Sequence, residues 1–255
     1  QKFSKIKILN LFIACRPNQW IKNVFVFLAP LFAFSVDPIV WIQAFKAFIS
    51  FCLISSSIYL INDCIDKNHD RNHPKKKYRP IAAGLVKTNI AIFLSLFLLL
   101  ISLFISFDFN SNFSLIIIFY FIIQLLYCFI LKNIPILEFF CIASGFIFRS
   151  TAGGIASNID ISSWFLLSVG MLSLFIALEK RKAELYSSIN KKTTRKVLKI
   201  YSKPLVEKYE SVLSTSTVIT YSLWAYGPIV GGASSPWMIF TIPLVILGIF
   251  RYQML

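Results

Sequence analysis

Charge is scarce in this chain: only 15% of its 255 residues are Asp, Glu, Lys or Arg, and just 11 of them are acidic. Histidine is confined to His69 and His73, and no Ser–His or Cys–His arrangement supports a covalent acyl or phosphoryl mechanism. The five cysteines (Cys15, Cys52, Cys64, Cys128, Cys141) include no C-x-x-C pair and fall mostly inside apolar runs. Free thiols are therefore expected, without a disulfide framework. The apolar runs show no period-two alternation, which argues against a transmembrane barrel. The abundant class is hydrophobic: 57% of residues, 26 of them Phe, with a mean hydropathy of +0.72. A soluble core of this size cannot hide that much apolar surface. A soluble enzyme, a disordered tail and a nucleic-acid partner are excluded despite a net charge of +15.

Apolar runs between charged or turn-rich breaks predict an all-α polytopic bundle of eight spans, near 21–36, 39–61, 89–107, 113–131, 134–156, 162–179, 209–230 and 236–252. The expected organisation is one transmembrane domain over 1–255, with two longer loops at 62–88 and 180–208. Sorting Lys and Arg by side places Lys2, Lys5, Lys7, Arg16, Lys22, Lys132, Arg251 and both loops on one face, and none on the other. The positive-inside rule makes that face cytoplasmic, in a cytoplasmic (inner) membrane. Gln1 to Asn10 show no signal-peptide pattern, and the end at Leu255, directly after an apolar run, suggests a piece of a longer gene product. The loops follow spans two and six, so the chain reads as two four-helix halves with equivalent polar stations, where membrane bundles commonly build sites.

At the first station, Asn62, Asp66 and Asp70 lie at i, i+4 and i+8, sharing one face if the helix continues, with Asp63 a turn from Asp66. Such a carboxylate cluster needs a compensating cation. Oxygen ligands without cysteine favour Mg²⁺, completed by substrate phosphates. A solvated acidic helix end neutralised by Lys67, Arg71 and Lys75 to Lys77 is the plainer alternative. Zinc on His69, Asp70 and His73 is a third. Arg79, before the turn Pro80 to Gly84, is suited to a bidentate phosphate contact.

N-D-x-x-D-x-x-x-D at the end of the second span resembles the aspartate-rich motif of the UbiA-type prenyltransferase superfamily. The longer string Asn62-Asp63-x-x-Asp66-x-x-x-Asp70-Arg71-x-His73-Pro74-x-Lys76-x-x-Arg79-Pro80-Ile81-Ala82-x-Gly84 is similar to the branch that transfers phosphoribose to polyprenyl phosphate. Arg16-Pro17-x-Gln19-Trp20-x-Lys22-Asn23 and Ala177-Leu178-x-Lys180-Arg181-x-x-Glu184-Leu185 resemble that branch too. The resemblance implies a UbiA-like bundle, normally of nine helices, with the ninth outside this sequence. It also implies Mg²⁺, with Mn²⁺ as a substitute, held by Asn62, Asp66 and Asp70. Asp63, Asp66 and Asp70 become the catalytic carboxylates; Lys22, Lys76, Arg79, Arg149, Lys180, Arg181 and Glu184 become substrate-binding residues. The implied substrates are phosphoribosyl pyrophosphate and a polyprenyl phosphate lipid.

Where ordinary members carry a second acidic motif, this chain has Lys180, Arg181 and Glu184, a set suited to direct phosphate contact. Lys180 to Lys182 also suit anionic lipid headgroups, and the run Lys191, Lys192, Arg195, Lys196 and Lys199 is read only that way. Arg149 falls inside a span, followed by Ser150 to Gly154, small residues that let helices pack closely and turn the Arg into the bundle. Lys46 is expected to snorkel or to pair with Asp37, and Glu179 has no assigned role. The rival functions are a prenyl diphosphate-dependent transferase and a non-catalytic transporter or scaffold. A homo-oligomer is allowed, but no motif demands one.

Overall fold

A computed structural model describes residues 2–187, 200–227 and 232–254, and among these the chain is helical with no strands. The chain runs α1 (Lys2–Ala14), a 3-10 segment (Pro17–Phe27), α2 (Leu28–Phe32), α3 (Pro38–Ile65), α4 (Lys67–Arg71), α5 (Thr88–Ser106), α6 (Ser111–Phe129), α7 (Leu137–Ser157), α8 (Ser163–Ser187), α9 (Lys203–Tyr226), a short 3-10 turn (Pro236–Thr241) and α10 (Ile242–Gln253). Among the described residues, six helical segments are long and apolar enough to cross a bilayer: α3, α5, α6, α7, α8 to Tyr186, and Pro236–Gln253. The eight expected segments all contain helix, but the count of eight spans is not reached on this criterion. α9 opens with charged residues. The first expected span breaks up: Pro17 starts a 3-10 segment with Asn23 buried in it, and α2 is only five residues long with Pro30 inside. So long a 3-10 run is uncommon, and it marks a place where side chains set the backbone path.

Polar and small residues hold the long helices together where lipid gives no hydrophobic drive between them. α3 pairs with α5 through Ser50–Ser102 at 2.9 Å and Ser57–Ser95 at 3.0 Å. Phe51, Ile54, Phe113, Ile117 and Ala152 close the centre between α3, α6 and α7. A second cluster joins α7, α8 and α9 through Phe139, Leu178, Tyr201 and Val206. Large apolar side chains on α5 and α6, such as Phe93, Phe97, Phe104 and Phe119, point outward, as lipid-facing surface requires.

Gly153 marks a close approach of α7 to the 3-10 segment: a Cβ there would sit 1.9 Å from the Val26 carbonyl oxygen. Gly153→Ala must push α7 off the 3-10 segment, an overpacking cost of about 1–3 kcal/mol. A clear drop in melting temperature in detergent is expected, and an unchanged value contradicts this contact.

Lys46 does not reach Asp37. Asp37 caps α3 by accepting from the Ile39 amide, while Lys46 lies 3.9 Å from Asp108 in the α5–α6 turn. Both partners are well exposed, so the pair marks an edge of the bundle and needs no functional role.

Candidate active site

The end of α3 carries the first polar station. Helix α3 stops at Ile65, Asp66 caps it, and α4 follows at once; backbone bonds from Asp66 to Asn62 and from Asp70 to Asp66 keep the path near-helical. Asp63 and Asp70 meet at one arginine, while Asp66 is held by a lysine. Asp63 is buried, paired with Arg16 and, at 3.3 Å, with Arg79. Asp70 takes the same Arg79 Nη1 at 2.6 Å, with Lys76 Nζ 4.0 Å away. Asp66 turns to Lys132 Nζ at 2.6 Å. Each carboxylate thus has a cation, Arg79 serving two of them, and among the described residues no three His, Cys, Asp or Glu side chains gather into a metal cage. In the zinc alternative, Asp70 is already held by Arg79. His73 Nδ1 accepts from the Lys75 and Lys76 amides, and burial, then the charge of Lys76, pushes its pKa down.

Local backbone fixes these groups. Arg16 has a left-handed φ of 54°, strained for a residue with a Cβ, and it is tied down by Asp63 and by a cation–π contact to Tyr59 at 5.1 Å. Trp20 Nε1 donates to Ser56 Oγ at 2.9 Å, pinning the Arg16–Asn23 stretch to α3. Arg79 precedes a turn whose Ile81 and Ala82 are buried, and Gly84 at φ 78° supplies the left-handed turn. Arg71 Nε donates to the Ala82 carbonyl and Lys67 Nζ to Thr88, which folds the 62–88 loop against α5.

The second station is helical: Lys180, Arg181 and Glu184 lie on α8 and not in a loop. Arg181 is only 4% exposed; its Nε and Nη2 donate to Glu138 Oε2 at 3.1 and 2.7 Å, and Nη1 donates to Glu184 Oε2 at 2.6 Å. Two carboxylates occupy the face expected to meet phosphate. Lys180 remains exposed. Glu179 is buried beside Lys182, which bonds Glu210 of α9 at 2.6 Å; Gln253 of α10 donates to the same Glu210. These residues knit α8, α9 and α10. The basic run Lys191 to Lys199 lies outside the described residues.

Arg149 points into the bundle, donating to Asn23, Gly145 and Tyr120. Lys22, exposed on the 3-10 segment, is within electrostatic reach of Lys180, Arg149 and Arg16. Lys22 adjoins Asn23, which holds Arg149, and lies in the same stretch as Arg16, which holds Asp63, so this part of the bundle is electropositive. Such a region attracts anions.

Lys132, Glu138 and Tyr120 take part in this arrangement but were not among the sequence candidates, and Asn23 stood only in the Arg16–Asn23 string without a role. Glu138 carried a signal: it is an acid inside an apolar span. Lys132 carried none beyond its sidedness, because only the fold brings it to Asp66.

A helical membrane bundle with carboxylates and cations gathered at helix ends defines an integral membrane protein built to handle an anionic ligand. Residues 23–255 match the UbiA prenyltransferase family, and the chain belongs to that family. It is 40% identical over 227 residues to a decaprenyl-phosphate phosphoribosyltransferase of Mycolicibacterium smegmatis, covering 86% of this chain and 71% of that one. A protein of the same name from Mycobacterium tuberculosis is 36% identical over 245 residues, covering 94% and 80%. The fold matches a UbiA homologue from Archaeoglobus fulgidus, solved with DMAPP and Mg²⁺, at a TM-score of 0.80 and 21% identity, covering 96% of this chain and 86% of that one.

Proposed function

We propose that this chain transfers the 5-phosphoribosyl group of phosphoribosyl pyrophosphate to a polyprenyl phosphate of the decaprenyl type, releasing pyrophosphate. The observation that carries the reading is the set of cations around Asp63, Asp66 and Asp70, together with exposed Lys180 on α8, where prenyl diphosphate enzymes would place a second acidic motif. The relatives' shared name supports the same acceptor and the same transferred group.

In the reaction the bond from C1 of ribose to pyrophosphate breaks, the leaving group keeps the electron pair, and an oxygen of the lipid phosphate forms the new bond to C1. The acceptor is already an anion, so no strong general base is needed. Lys22 and Lys180 bind the donor's phosphates, with Lys76 and Arg79 at the pyrophosphate end. Arg149 faces the lipid phosphate. Asp63, held by Arg16 and Arg79, orients those arginines instead of meeting substrate. Arg181 and Glu184, bound to each other and to Glu138, hold α8 in place so that Lys180 projects from it.

The donor set fits a divalent ion that keeps its waters. Asp70 Oδ1 is buried with no hydrogen-bond partner, Asp66 keeps part of its surface open, and Mg²⁺ commonly binds one or two carboxylates plus substrate phosphates. Asn62, Asp66 and Asp70 would hold Mg²⁺ or Mn²⁺, which would neutralise charge on the departing pyrophosphate. The donor enters from the cytoplasmic face of the inner membrane, while the lipid's phosphate arrives sideways, because its tail leaves hydrocarbon at a cost of about 0.8 kcal/mol per CH₂.

Donor choice tests the reading. Purified protein given decaprenyl phosphate and Mg²⁺ is expected to consume phosphoribosyl pyrophosphate and to ignore geranyl diphosphate offered with an aromatic acceptor. The reverse preference would overturn it. Lys180→Ala should raise KM for phosphoribosyl pyrophosphate by about tenfold, the loss of one charge-assisted contact, with little change for the lipid. Equal change for both substrates would return Lys180 to the lipid-headgroup alternative.

A further inference from the structure

Arg149 is enclosed without being neutralised. Its Nε donates to Asn23 Oδ1 at 2.7 Å, Nη1 to the Gly145 carbonyl at 2.6 Å, and Nη2 to the Tyr120 hydroxyl at 2.7 Å. The side chain is 5% exposed, and the guanidinium carbon lies 5.0 Å from the Tyr120 ring centroid and 5.7 Å from that of Phe146. All three acceptors are neutral, and among the described residues no carboxylate lies within ion-pair distance of Arg149. The bonds use three of the five N–H groups of a guanidinium. The other buried arginine, Arg181, is treated in the opposite way, with carboxylates at 2.6 and 2.7 Å.

Asn23 is the residue at which this difference is set. It is fully buried, and its Nδ2 donates to Cys52 Sγ and Ser55 Oγ, each at 3.3 Å, so the amide can only turn its oxygen toward Arg149. An aspartate has the same shape and would place a carboxylate against Nε, forming an ion pair of the Arg181 kind. An uncompensated buried charge is costly, and a chain that places a neutral acceptor where an acid would fit retains that charge for a ligand.

We infer that Asn23 is a positioning residue that fixes the Arg149 guanidinium while leaving its positive charge for the phosphate group of the lipid acceptor. The inference rests on the functional reading above, in which Arg149 faces that phosphate.

The test compares wild type, Asn23→Asp and Asn23→Ser by melting temperature with and without decaprenyl phosphate, and by steady-state kinetics. Wild type should be stabilised by the lipid. Asn23→Asp should melt at or above the wild-type temperature without ligand, yet lose the lipid-induced shift and raise KM for decaprenyl phosphate at least tenfold, with KM for phosphoribosyl pyrophosphate changed far less. Asn23→Ser keeps the charge but loosens the guanidinium, so it should lower kcat while leaving KM for the lipid near wild type. A wild type that the lipid does not stabilise would overturn both the functional reading and this inference. A normal wild type with an Asn23→Asp variant of unchanged lipid response would overturn the inference alone. If Asn23→Asp does not fold, wild-type kcat in Asn23→Ser would do the same.

Discussion

Asp66→Asn is expected to lower turnover by on the order of 10²- to 10³-fold, the size of losing one preorganised charge at a transition state, while the protein stays folded. Asp66 is the cleaner choice because its side chain is 26% exposed and, among the described residues, its single ion pair is to Lys132. Asp70→Asn should lose as much activity but also some stability, since Asp70 is buried and shares Arg79 with Asp63. Removing divalent ions with EDTA should abolish turnover, with Mg²⁺ or Mn²⁺ restoring it. Asp66→Asn should need a higher Mg²⁺ concentration for half-maximal binding of pyrophosphate, a readout independent of turnover. Full activity in both variants would remove these carboxylates from the mechanism.

Arg181→Leu is expected to act on stability first. It removes both hydrogen bonds that Arg181 gives to Oε2 of the fully buried Glu138, and breaking a buried pair from one side costs about 3–5 kcal/mol. The double variant Glu138→Leu with Arg181→Leu should be less destabilised than the sum of the two single variants, because the buried charge goes with its partner. Thermal unfolding in detergent reads both effects. An Arg181→Leu protein that melts like wild type but no longer binds phosphoribosyl pyrophosphate would make Arg181 a phosphate ligand, against the geometry seen here.

The contrast between Arg181 and Lys180 shows what the sequence could and could not reveal. Long uncharged runs marked the helices, because a bilayer demands about 20 apolar residues per crossing, and the boundaries of α3, α5 and α6 fall within a few residues of the expected ones. The first segment was misjudged because composition does not register a buried Asn23 or the break at Pro30. Helical spacing placed Asn62, Asp66 and Asp70 near one another, yet could not foresee that Arg16, Arg79 and Lys132 would divide the carboxylates among them. Those partners come from 9 to 66 residues away. The same limit applied to Arg181: adjacent cations on α8 look alike in sequence, and only the arrival of Glu138 from α7 assigns one to the scaffold and leaves the other exposed.

The most direct measurement uses phosphoribosyl pyrophosphate carrying one isotope in its 5-phosphate and another in its pyrophosphate, incubated with the purified protein, Mg²⁺ and decaprenyl phosphate. The account predicts that the 5-phosphate label moves into the lipid phase while the pyrophosphate label stays in water, in equal amounts, and that Asp66→Asn suppresses both. Both labels entering the lipid, or neither label leaving the donor, would contradict it.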